Sequence, residues 1–70
     1  MRGEMIKLLK RVLAHARLVY KRRWLGWNLV AQQWFVYSGE TEKMVECYRG
    51  VDFHEALRQL FIDDDYLIGG

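Results

Sequence analysis

The sequence predicts a small α+β domain in the order helix, β-hairpin, helix (αββα), and three observations lead there. Over the first third of the chain, apolar and cationic residues separate onto opposite arcs of a helical wheel. The run Trp34-Phe35-Val36-Tyr37 is aromatic and β-branched and ends in Ser38-Gly39, as a strand entering a turn does. Asp52, followed three residues later by Glu55, opens a second amphipathic segment with the chemistry of a helix N-terminus.

The first helix is expected from about Glu4 to Arg22. Met5, Leu8, Leu9, Val12, Leu13, Ala16, Val19 and Tyr20 share one arc, and Lys7, Lys10, Arg11, Arg17, Lys21 and Arg22 the other. Glu4 in the first turn and Lys21-Arg22-Arg23 in the last suit the helix dipole, and Gly26 is placed to act as a left-handed stop. A competing reading makes 17–24 a strand, because Leu18, Tyr20 and Trp24 also alternate.

Trp24 to Gly39 is the stretch the rest must cover: sixteen residues without a formal charge, holding all three tryptophans. Its second half reads as a strand, whereas 28–33 fits neither period. Residues 38–42 are a polar, glycine-containing loop of hairpin length, and Lys43 to Arg49 is the return strand. After Gly50, Asp52 is the expected N-cap, Glu55 its reciprocal partner, and Val51 a hydrophobic staple on Ala56. Phe53, Ala56, Leu57, Leu60 and Phe61 form the buried arc of a helix ending near Asp63. Residues 64–70 are a tail, with Tyr66-Leu67-Ile68 apolar enough to add a third strand and give αβββα.

Two resemblances attach to these segments. Gly50 to Leu57 resembles the strand-to-helix turn of many small α+β proteins, HicB-type antitoxins among them. A strand at 17–24 would also give the order αβββα, which resembles the layout of double-stranded-RNA-binding domains. Asp52 and Glu55 stand where such domains present cations to phosphate.

Seventy residues form one domain, and a chain of this length buries only roughly 60% of the surface it exposes unfolded, so a second copy or a partner adds needed stability. An apolar content of 51% is too high for disorder. The net charge of +2 hides a strong asymmetry. Residues 1–23 carry eight basic residues against one acid, a net of +7, and residues 24–70 carry three against eight, a net of −5. A lone cysteine, Cys47, forms no intrachain disulfide and points to a reducing cytoplasm. No run reaches the ~20 apolar residues of a membrane span, and Lys7, Lys10 and Arg11 interrupt any secretory apolar region.

No catalytic residues, metal ligands or cofactors are expected. His15, Cys47 and His54 have no paired ligand spacing, Asp63-Asp64-Asp65 point in different directions at a helix end, and no glycine-rich phosphate loop follows a strand. The expected function is therefore a small non-enzymatic protein-interaction or regulatory module with no small-molecule substrate, forming a homodimer or docking on a larger protein. Trp24, Trp27, Tyr37 and Tyr48 are its contact candidates, since exposed aromatics dominate interface energetics. The alternative is a nucleic-acid binder that sets Lys7, Lys10, Arg11, Arg17, Lys21 and Arg22 against phosphates.

Overall fold

In the structure, a computed structural model that describes residues 3–39 and 43–62, the chain runs α1 (Gly3–Leu13), β1 (Leu18–Tyr20), β2 (Arg23–Asn28), β3 (Gln33–Ser38), β4 (Val45–Gly50), α2 (Phe53–Leu60). The four strands form one antiparallel meander in sequence order. The α+β class is as expected, but the strand count is not. The order is αββββα, so neither αββα nor the αβββα of the double-stranded-RNA-binding layout describes it. Residues 63–70, where a further strand was expected, lie outside the described residues, as do Asp63, Asp64 and Asp65.

The largest departure is the length of α1. The helix stops at Leu13 rather than Arg22, and its last turn tightens, with Ala14 N–H donating to the Lys10 carbonyl and His15 N–H to that of Val12. Leu18, Val19 and Tyr20 instead pair with Leu25, Trp24 and Arg23. Both periods place Tyr20 inward, so the wheel could not separate them. The choice follows from β2: Leu25 is fully buried, and an unpaired β2 edge would leave its backbone groups without partners. A two-residue turn reverses the chain between β1 and β2, with Lys21 at φ 55°.

Gly26 is not a helix stop. It lies mid-strand opposite Phe35 in the β2–β3 ladder. The undecided stretch 28–33 is the turn of that hairpin. The Asn28 side-chain carbonyl accepts from the amides of Val30 (3.1 Å) and Ala31 (3.0 Å), its backbone carbonyl accepts from Gln32 (2.8 Å), and Gln32 takes φ 59° to re-enter the sheet.

The ladder register sorts the sheet's two faces. Leu25 pairs with Val36 and Trp27 with Trp34, all inward. Beneath them lie Leu13 of α1 and Phe53, Ala56 and Leu60 of α2, so both helices pack on one face and close a single core. The Trp27 and Trp34 rings meet edge to face at 4.9 Å, and Trp34 reaches Phe53 at 4.7 Å. Trp34 Nε1 has no hydrogen-bond partner among the described residues, a loss of about 1–3 kcal/mol that ring packing must exceed. The shortest dimension of the fold, 17 Å, holds one sheet and one helix layer.

A bulge shifts the β3–β4 register between Val36 and Tyr37 and leaves Cys47 as the extra residue, half-buried against the core. At the β4–α2 junction the N-cap forms as expected: the Asp52 carboxylate accepts from His54 N–H (3.0 Å) and Glu55 N–H (3.3 Å). The rest of the expected capping box does not. Glu55 turns to Gln59 (3.1 Å) and Arg58 (3.5 Å), and the Asp52 N–H donates to the Tyr48 hydroxyl at 3.1 Å. Val51, 77% exposed, makes no staple. The helix closes at Leu60 rather than Asp63, where Arg23 donates to the Gln59 carbonyl at 2.7 Å.

Capping by Asp52 alone has a measurable consequence. Asp52→Ala is expected to lower the urea-unfolding free energy by about 1 kcal/mol. Glu55→Ala, which removes only partly buried contacts between neighbouring turns of the helix, should lower it by less than about 0.5 kcal/mol.

Candidate functional site

Two surfaces hold side chains that the fold does not need for its core. The first is the outward face of the sheet. Because β-strand side chains alternate, Trp24 of β2 and Phe35 and Tyr37 of β3 point away from the helices, with Val19 of β1 and Glu46 and Arg49 of β4 beside them. An antiparallel sheet with one solvated face ordinarily shows polar residues there. Here three aromatic rings lie together: Trp24 to Tyr37 at 5.0 Å and 35°, Trp24 to Phe35 at 5.9 Å edge to face, and Phe35 to Tyr37 at 5.5 Å. Each ring is half-buried.

Gly26 makes room for this cluster. A Cβ at position 26 would sit 2.6 Å from Phe35 Cζ, so the glycine is set by ring contact and not by a turn. A guanidinium borders the cluster on two sides. Arg17, in the loop between α1 and β1, stacks over Trp24 with Cζ 4.0 Å from the ring centroid. Arg49 holds Glu46 at 2.8 Å and reaches the Tyr37 hydroxyl at 3.4 Å. The hydrogen bond to Glu46, then that to Tyr37, pushes the Arg49 pKa above its ordinary value.

The second surface is the outer stripe of α1. Ile6, Leu9 and Leu13 turn toward the core, whereas Met5, Leu8 and Val12 remain 51%, 52% and 51% exposed. The stripe continues onto the β2–β3 turn through Leu29 and Val30, the latter 94% exposed. Leu8, Arg11, Val12, Ala14, His15 and Leu29 line an open groove of about 410 Å³ between helix and turn.

The aromatic contact candidates therefore divide. Trp24 and Tyr37 meet on the open sheet face. Trp27 is core, with the Lys10 ammonium 4.4 Å above its ring. Tyr48 faces the helices, its ring filling the space over Gly50 while its hydroxyl receives the Asp52 amide. Of the four, Trp27 is the buried one, and Tyr48 lies half-buried on the helix side of the sheet. The six cations do not share a helical face either. Lys7, Lys10 and Arg11 belong to α1, Arg17 to the following loop, and Lys21 and Arg22 to the β1–β2 turn. Early termination of the helix is the reason.

Phe35 and Arg49 were not singled out beforehand, although Phe35 alternates with Trp34 and Val36 and shares its parity with Tyr37. Met5, Leu8 and Val12 share the apolar arc of the wheel, which does not show how much of that arc a thin partner layer covers. Among the described residues, no group of three or more His, Cys, Asp or Glu is placed to hold a metal ion. Nor is any helix among them long and apolar enough to cross a membrane.

The class shown is a small α+β fold with two helices on one face of a four-stranded antiparallel meander. The chain matches no protein-family model, and neither a curated protein nor a solved structure is significantly similar to it.

The role of Gly26 is open to direct test. Gly26→Ala should destabilise the fold by about 1–3 kcal/mol in urea unfolding, by driving the new methyl into the Phe35 ring. Adding Phe35→Leu should recover much of that loss.

Proposed function

We propose that this chain is a small non-enzymatic interaction module that associates with a second copy of itself through the outer stripe of α1. The observation that supports the reading is the incomplete burial of the helix's apolar arc. Met5, Leu8 and Val12 recur at spacings of three and four, the pattern of a helix-pairing seam, yet each is half exposed. Leu29 and Val30 extend the apolar area beyond the helix.

Charge favours a second copy as the occupant. Glu4 and Arg11 flank the stripe on the same side, seven residues apart and opposite in sign. In an antiparallel, two-fold pairing of α1 helices, Glu4 of one protomer comes opposite Arg11 of the other, twice per interface. A parallel pairing would set this flank against the opposite flank of the partner helix and form no Glu4–Arg11 contact. The chain's length adds to the motive, because a fold of this size alone buries a smaller fraction of its surface than a larger domain does.

Interface size sets the strength. Five partly exposed side chains supply well under the ~800 Å² per partner of a standard interface, so a dissociation constant of about micromolar or weaker is expected.

Sedimentation velocity across a concentration series tests the proposal. The wild type is expected to pass from monomer to dimer, and Leu8→Glu to stay monomeric with an unchanged circular-dichroism spectrum. Arg11→Glu should weaken association, and Glu4→Arg with Arg11→Glu should restore it. A wild type that remains monomeric at the highest concentration, or a Leu8→Glu variant that still dimerises, would overturn self-association. A larger protein would then be the occupant to seek.

A further inference from the structure

We infer that the open sheet face is a stacking platform for the bases of single-stranded nucleic acid, with Trp24, Phe35 and Tyr37 receiving bases and Arg17 and Arg49 receiving phosphates. This surface is separate from the α1 stripe, and the inference does not rest on self-association.

Four features bear on it. The three rings come from adjacent strands and form one connected cluster, with centroids 5.0 to 5.9 Å apart. Their positions are set by the β2–β3 ladder and by the ring contact at Gly26, so the platform is rigid before a ligand arrives. Both helices pack on the opposite face, so among the described residues no helix covers this one. The charge at the border suits an anion. Arg17 lies over Trp24 with its Cζ 4.0 Å from the ring centroid, and Arg49 keeps donors near Tyr37 while Glu46 holds it in place.

Aromatic rings on an open sheet can use only bases whose faces are free, and a duplex hides those faces inside its stack. The ligand class is accordingly single-stranded. Sequence preference should be weak, because every base offers a π-face. The charge contribution is small. Arg17 and Arg49 stand against Glu46, so the platform engages one or two phosphates and depends on stacking for most of its affinity. That differs from a basic helix on a duplex, where phosphate contacts dominate and salt dependence is steep.

The test is fluorescence anisotropy of the full chain with labelled oligouridine and oligodeoxythymidine, and with a duplex of mixed sequence, across a salt series. Tryptophan emission provides a second readout, with Trp24→Phe identifying the part that Trp24 contributes beside the buried Trp27 and Trp34. Single strands are expected to bind, to quench Trp24, and to show a shallow slope of log affinity on log salt, between about −0.7 and −1.4 for one or two phosphates. Phe35→Ala and Tyr37→Ala should each weaken binding by about tenfold or more. Tyr37→Phe and Phe35→Tyr, which keep the ring, should retain binding and so separate stacking from misfolding. Leu8→Glu should have no effect, so failure of self-association and failure of this platform remain distinguishable. Absence of single-strand binding at low salt would overturn the inference. So would duplex binding as tight as single-strand binding, or binding lost in Lys7→Gln with Arg11→Gln but kept in the ring variants, since either result would place nucleic acid on α1.

Discussion

Everything in this fold leans on the antiparallel pairing of β2 with β3. That ladder sets Leu25 against Val36 and Trp27 against Trp34, and among the described residues these four are the sheet's buried hydrophobic side chains, with Tyr20, Cys47 and Tyr48 packed partly buried against them. A shift of one residue would turn Trp34 and Val36 outward and bring Phe35 and Tyr37 in, exchanging core for platform. The Asn28 turn pins the register at one end of the hairpin, and at the other Gly39 N–H donates to the Arg22 carbonyl at 3.0 Å. Both helices are consequences of this hairpin. Leu13 and Phe53 are buried only because Trp27 and Trp34 lie above them.

The hairpin also explains why an uncharged stretch of sixteen residues is workable in so small a chain. Alternation divides its large side chains between two faces, and one helix layer can cover only one of them. The aromatic residues on the other face cover each other in part, and Arg17 covers Trp24. On α1, a helix of eleven residues over a narrow sheet finds partners for only part of its apolar arc, which leaves Met5, Leu8 and Val12 outside. Both candidate surfaces thus have one origin, a chain with more apolar surface than two thin layers can bury.

Legibility tracked how local each signal was. The N-cap at Asp52 and the buried arc Phe53-Ala56-Leu60 depend on neighbours within a turn, and both hold. The turn at 28–33 is equally local, but its cue is one Asn side chain answering its own backbone, and a search for periodicity passes over it. The Glu55 half of the capping box failed because Tyr48, four residues before Asp52 and brought back across β4, supplied a competing acceptor. Trp24, Trp27, Tyr37 and Tyr48 look alike in the sequence, because strand parity assigns faces only once the register is known: Trp24 and Tyr37 take the outer face, Trp27 and Tyr48 the helix side.

What the sequence by itself determined is the α+β class, the strand Trp34 to Tyr37 with its return strand, and a second helix capped by Asp52. Each is written in propensities and spacings within a few residues. Tertiary structure alone decided that α1 ends at Leu13 and that Leu18 to Tyr20 join the sheet. An apolar pattern compatible with both periods is resolved only by the partner that needs it, here the otherwise unpaired edge of β2. Tertiary structure likewise decided which aromatic residues face solvent. That choice belongs to the pairing register and to the single face on which both helices pack, and neither is a property of any short segment.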